Sequence, residues 1–285
     1  MSTELTTTSN QHRKGDRRRN IRRWVQRVTL ALTILTPLYF IVAAFGTKFG
    51  LFTMRFGFGK LTYAWSKHVL MALAIAGLVS LLLAIFIKPR KGFGTAAAAL
   101  VIAIVGMGYG AGVSKKAASL PFIHDITTDT QNVPVFTDAI LSERAKVKGV
   151  NSVDYIGKKA RTSKMDADGK PVMKLVSALQ TQTKAYADIR PLILEDDMAV
   201  VFGQAKAAAK QMGWALKSED PKAGIIEATD TTFWYGFKDD VVIRLRPSEG
   251  GGTILDVRSV SRVGGSDIGA NAARIRKFLN VMGKA

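Results

Sequence analysis

Two kinds of apolar pattern follow one another along the chain. Uncharged apolar runs occupy residues 28–46, 69–87 and 96–113. As helices at ~1.5 Å rise per residue they cover about 27 to 29 Å, close to the roughly 30 Å of bilayer hydrocarbon. Three transmembrane helices are therefore expected. Farther on, the apolar residues recur with shorter periods. From Ile225 to Arg262 three β-type runs read as a meander, with turn signals at Lys238-Asp239-Asp240 and Ser248-Glu249-Gly250-Gly251-Gly252. Val241, Ile243 and Leu245 alternate with Val242, Arg244 and Arg246, and Leu255 and Val257 alternate with Asp256 and Arg258. One sheet face is thus apolar and the other mixed and basic. An apolar face needs a cover, and helical runs over 195–212 and 268–282 supply it. The expected fold is α+β: three N-terminal transmembrane helices, then a soluble domain with an antiparallel sheet flanked by helices.

The boundaries that follow are a basic arm over 1–27, a membrane region over 28–113, a membrane-exit segment over 114–137 and the soluble domain over 138–285. Residues 1–10 are polar and read as disordered. The exit segment has no amphipathic period, and Pro121 and Pro134 point to an extended, docked stretch. Residues 138–145 form a short helix. Lys146 to Pro171 reads as a polar loop with a turn at Asp166-Ala167-Asp168-Gly169. Asp188 to Leu194 is an edge strand interrupted by Pro191. Asp196 and Asp197 favour the start of the next helix, and Gly213 follows its end.

Charge refines this picture. The net charge of +19 suggests a nucleic-acid binder until it is divided. Residues 1–114 hold 15 basic and 2 acidic side chains, and the remainder holds 26 and 20. The excess therefore flanks the apolar runs, where it is a topology signal, and no nucleic-acid partner is expected. Eight basic residues in the arm and three in the link 88–94 outweigh four in the link 47–68, which places the N-terminus in the cytoplasm. An odd number of spans then places the C-terminal domain on the far side of the membrane from the cytoplasm. The arm is attracted to anionic lipid at about 1 kcal/mol per basic residue. The link 47–68 is rich in aromatics (Phe49, Phe52, Phe56, Phe58, Tyr63 and Trp65) and reads as an interfacial anchor.

Candidate chemistry is sparse. The chain has no cysteine and three histidines, so zinc, thiolate and disulfide chemistry are not expected, and neither is a cofactor. His124 beside Asp125 is the candidate catalytic pair, a base held by a carboxylate; the competing reading is a polar side chain that fixes the exit segment onto the domain. Arg244, Arg246, Arg258 and Arg262 form a candidate anion cradle, or else, on an exposed sheet face, pair with Asp256 or Asp230. Phe233, Trp234, Tyr235 and Phe237 are the densest aromatic cluster of the soluble part, and Trp234 and Tyr235 are candidate ligand contacts. Asp267, ahead of the last helix, reads as its N-cap. In the third span Gly106, Gly108, Gly110 and Gly112 make two small-xxx-small pairs that allow close helix contact, within the bundle or between copies.

Four motifs in order carry a family resemblance. They are Phe122-Ile123-His124-Asp125-Ile126-Thr127-Thr128-Asp129, Tyr186-Ala187-Asp188-Ile189-Arg190-Pro191-Leu192, Ile226-Glu227-Ala228-Thr229, and Asp256-Val257-Arg258-Ser259 with Ser261-Arg262-Val263-Gly264, Ser266-Asp267 and Gly269-Ala270-Asn271. Together they resemble the family called domain of unknown function 1499, over roughly residues 121–282. Ala187 departs from that pattern, which prefers proline there. The resemblance implies a membrane-tethered envelope domain of bacteria with no established activity, which with the orientation above is expected in the inner membrane with its C-terminal domain in the periplasm. The leading expectation is a binding or scaffolding module of the cell envelope that holds membrane lipid, an envelope protein or a second copy. A hydrolase or transferase using the His124/Asp125 pair, and a membrane assembly factor acting through the third span, are the alternatives.

Overall fold

The computed structural model describes residues 2–165 and 171–284, and the turn expected at 166–169 lies outside the described residues. The chain divides into two compact units, residues 1–114 with Trp234–Gly236, and Lys115–Phe233 with Phe237–Ala285.

The first unit is helical: α1 (Ser2–Lys48), a π-helix (Arg55–Ala64), α2 (Ser66–Phe86) and α3 (Phe93–Ser119). Among the described residues three helices are long and apolar enough to cross a membrane, over Gly15–Lys48, Ser66–Phe86 and Phe93–Ser119. Two differ from expectation in length. α1 runs back through the basic arm and into residues 2–10, where disorder was expected, because no proline interrupts it before Pro37. α3 continues to Ser119, past the glycines, since nothing before Pro121 breaks it. Phe49, Phe56, Tyr63 and Trp65 in the link between α1 and α2 are exposed to whatever surrounds the helices.

The second unit is α+β. Its elements are β1 (Asp125–Thr127), α4 (Asp138–Ala145), β2 (Lys159–Met165), β3 (Pro171–Ser177), α5 (Ala178–Ala185), β4 (Leu192–Leu194), α6 (Met198–Gln211), β5 (Ala215–Asp220), β6 (Ile225–Thr231), β7 (Lys238–Pro247), β8 (Thr253–Ser261) and α7 (Ala270–Met282). The main sheet is antiparallel in the order β1-β8-β7-β6-β5, with β4 also on β8, and β2 and β3 form a separate hairpin. Period-two alternation sets the faces. Val241, Ile243, Leu245, Leu255 and Val257 share a core with Val201, Phe202, Ala205 and Ala209 of α6 and Ala272, Ile275, Phe278 and Met282 of α7. Asp197 caps α6 by accepting from Ala199 N and Val200 N at 2.9 Å each. Gly213, at φ 79°, ends that helix in the left-handed region.

Three expectations are corrected. Lys238, Asp239 and Asp240 lie inside β7, paired with β6 and β8, and the chain reverses at 232–237, where Gly236 has φ 67°. Two adjacent aspartates looked like a turn because isolated carboxylates avoid strands; here each has a guanidinium partner. The second correction is that part of the stretch read as loop over 146–171 is strand β2. Its polar sequence hides the pairing because a two-stranded hairpin needs no alternating apolar face. The last concerns Asp267, which accepts from Gly269 N and Asn271 N from two residues before the cap position, held by Gly269.

Candidate functional site

The face of the sheet turned away from α6 and α7 is charged and buried. Register places Asp125, Asp240 and Val260 across one another, Val242 between Glu227 and Arg258, and Arg244 opposite Asp256. An exposed sheet face was expected here. Instead residues 129–158, including α4, cover it, with Phe136 and Ile140 packing on Val242 and Val260. Burying so many charges is tolerable only if each is paired and hydrogen-bonded.

Three ion-pair clusters supply the pairing. In the first, Asp125 accepts from Arg258 Nε at 3.0 Å, Arg258 Nη2 at 2.8 Å and Lys158 Nζ at 2.6 Å. Arg258 also donates to the carbonyls of Pro134 and Val153, with its guanidinium over the rings of Phe136 and Tyr155. In the second, Asp240 receives Arg144 and Arg262, and Arg262 also reaches Glu143 at 2.8 Å. Hydrogen bonds from Lys217 and Arg262 pull the Glu143 carboxyl down to about 2. In the third, Arg244 and Arg246 each bind Asp256 and Asp129, in both cases at Oδ2, and Asp256 Oδ1 is buried with no hydrogen-bond partner among the described residues. Glu227 accepts from the backbone N–H and the hydroxyl of Thr137, which ties the start of α4 to β6.

The four arginines of the expected anion cradle are thus all in ion pairs, and they divide among three clusters. Asp256 pairs as expected, whereas Asp230 meets Arg274 of α7. Trp234 and Tyr235 fall in the reversal at 232–237 rather than in a strand, and they group with the first unit. Among the four glycines of α3, a side chain at Gly106 would meet Leu70, whereas a Cβ at Gly108, Gly110 or Gly112 would point into open space among the described residues. Among the described residues no three His, Cys, Asp or Glu side chains are grouped to hold a metal ion.

His124 and Asp125 are adjacent in sequence, yet the carboxylate is fully engaged by Arg258 and Lys158. His124 Nδ1 instead lies 3.2 Å from the carbonyl of Gly265. A carbonyl only accepts, so Nδ1 carries the proton and Nε2 presents a lone pair. That Nε2 is buried and has no hydrogen-bond partner among the described residues. The backbone carbonyl of His124 accepts from Ser261 N and Asn271 Nδ2, which fixes the segment between β8 and α7. Burial, then the charge of Lys158, lowers the imidazole below its ordinary 6.5, and the Gly265 contact and Asp125 oppose this only in part. A depressed histidine stabilises the fold above the unfolded value and loses that contribution as pH falls through the folded one. His124→Gln is therefore expected to hold its melting temperature better than the parent as pH falls below 6.5. Parallel pH courses for the two proteins would sink this account.

Sequence reasoning missed Glu143, Arg144, Lys158, Tyr155 and Asp240. A signal existed for Asp240: the even positions 240, 242, 244 and 246 continue one face, so the alternation already put it beside the arginines. The others join only through tertiary folding, and no local pattern marks them.

A family model described as a protein of unknown function, DUF1499, matches residues 125–282, from the first residue of β1 to the last of α7. No curated protein matches the chain.

Proposed function

The chain belongs to the DUF1499 family of proteins of unknown function, and on that premise we propose that it is a membrane-tethered binding or scaffolding module of the cell envelope. In this reading the basic arm and the link 88–94 stay in the cytoplasm, and the three apolar helices cross the inner membrane. The C-terminal unit then holds a lipid or protein partner on the periplasmic side. The observation that carries it is the covered charged face. Its guanidiniums are held by carboxylates, and Glu227 is held by Thr137, which makes a rigid platform rather than a set of groups poised for proton transfer. Charge asymmetry supports the orientation, with eleven basic residues on one side against four on the other.

An enzymatic second reading rests on the lone pair of His124 Nε2, which has no hydrogen-bond partner among the described residues. It predicts loss of function in a normally abundant His124→Gln protein, whereas the binding reading predicts function retained.

The absence of cysteine makes the orientation directly testable. Glu249→Cys is expected to react with a membrane-impermeant maleimide in cells with a permeabilised outer barrier. Arg17→Cys is expected to react only after lysis. The reverse pattern would overturn the compartment. Val135 and Ile156 are 74 % and 76 % exposed, and a photo-reactive residue at either is expected to capture one lipid class or one protein. No adduct at either position would count against binding.

A further inference from the structure

Among the described residues, a buried positive charge in the first unit lacks the counter-ion that the buried arginines of the second unit have. Arg22 of α1 is 3 % exposed with protein atoms alone around it. Its Nη1 donates to the carbonyl of Ile87 at 3.4 Å, and its Nε has no partner among the described residues. Gln26, four residues along the same helix face, donates through Nε2 to the carbonyl of Lys91. These two contacts draw the link 87–92 onto α1 and bring Lys88, Arg90 and Lys91 to the same end of the unit as Arg22. Arg90 donates to the carbonyl of Ile85, within the end of α2. α3 begins at Phe93, directly after the link, so its positive dipole end adds to the field.

No carboxylate can neutralise this cluster from nearby in the chain. From Arg17 to His124 the sequence contains neither Asp nor Glu. Asp16 is exposed and pairs with Arg19 at 3.0 Å. By contrast Arg144, Arg258, Arg262 and Arg274 are buried against carboxylates. A guanidinium keeps its charge throughout the physiological range, and burying it alone carries a heavy desolvation penalty. The compensating anion must therefore come from outside this unit. At the basic end of an apolar span, the anion at hand is a lipid phosphate.

We infer that Arg22 and the link 87–92 form a binding site for one phosphate group, supplied by the headgroup of an anionic phospholipid in the leaflet facing the N-terminal arm. The planar guanidinium fork matches two phosphate oxygens, and Lys88, Arg90 and Lys91 add charge around it. This differs from the diffuse attraction of the arm, which depends on the number of charges and not on one residue. It requires the apolar helices to lie in a bilayer. It does not require a particular compartment for the C-terminal unit or a partner there, so it can fail or stand independently of the proposed function.

The test is native mass spectrometry of the full chain in detergent, with phosphatidylglycerol, phosphatidylcholine and inorganic phosphate as probes. The parent protein is expected to retain phosphatidylglycerol at least about tenfold better than phosphatidylcholine, and Arg22→Gln to lose that retention about tenfold. Arg23→Gln removes the same charge from an exposed neighbour and is expected to change retention by less than about twofold. Equal retention of the two lipids by the parent protein overturns the site without recourse to any variant. Equal losses in Arg22→Gln and Arg23→Gln reduce it to diffuse attraction. Displacement of phosphatidylglycerol by inorganic phosphate at similar concentration overturns the lipid as the source of the group.

Discussion

Asp240→Asn is expected to destabilise the C-terminal unit by about 3 to 5 kcal/mol, the usual cost of removing one partner from a buried ion pair. Asp240 is fully buried and accepts from Arg144 Nη1 at 2.7 Å, Arg262 Nε at 2.9 Å, Arg262 Nη2 at 2.7 Å and Thr229 Oγ1 at 2.9 Å. The amide keeps the shape but cannot accept with both ends, and its NH2 would face guanidinium donors. Arg262 would keep Glu143, whereas Arg144 would keep only the carbonyl of Asn151. For a unit of this size the melting temperature should fall by roughly 6 to 20 °C. The near-ultraviolet signal of Trp214, stacked on Phe278 in the core, reports the transition. Adding Arg144→Met removes the stranded charge and should restore more than about 1 kcal/mol, since the two sites are directly coupled. If Asp240→Asn melts within a few degrees of the parent, the charged face is more hydrated than its burial implies.

The balance of these charges explains what the sequence disclosed and what it withheld. Alternation in β7 and β8 displayed both faces of the sheet, because period two is a local property of an extended chain. The helices α4, α6 and α7 were legible for the same reason, through Asp197, Gly213 and the apolar spacing of Ile275, Phe278 and Met282. Apolar length alone marked the three helices of the first unit. Pairing was another matter. Arg258 meets Asp125 from 133 residues away and Arg144 meets Asp240 from 96. Nothing in a short window distinguishes an arginine that will face water from one that will be enclosed. The expectation of an exposed basic face failed there, since the cover comes from a segment with little apolar character. The same blindness turned Asp239 and Asp240 into a turn signal. Their side chains point to opposite faces of β7, one to Arg274 and the other to Arg144 and Arg262. A carboxylate in a strand is costly only when unpaired, and sequence does not show the partner.

Arg258→Met should have an effect of similar size and a distinctive pH dependence. Arg258 is 2 % exposed, and its donors join β8 to β1 through Asp125 and to the covering segment through the carbonyls of Pro134 and Val153. Methionine fills much of the space between Phe136 and Tyr155, so the loss falls on hydrogen bonds and charge rather than on packing. A cost of about 3 to 5 kcal/mol is expected, with Asp125 left to Lys158 alone. In the parent protein, burial pushes the Asp125 carboxyl up, but the hydrogen bonds and charge of Arg258 and the charge of Lys158 outweigh it and hold it below 3.8. A carboxyl depressed in this way stabilises the fold above its unfolded value, and the contribution disappears as pH falls through the folded one. In the variant, burial is opposed by Lys158 only, so this contribution shrinks or changes sign. The gap in melting temperature should therefore be widest at neutral pH and narrow as pH falls below 3.8. Hydrogen exchange over 129–158 should quicken in the variant, because the clamp on that segment is gone. A gap that is independent of pH, with exchange unchanged, would mean that Arg258 acts only through its bulk.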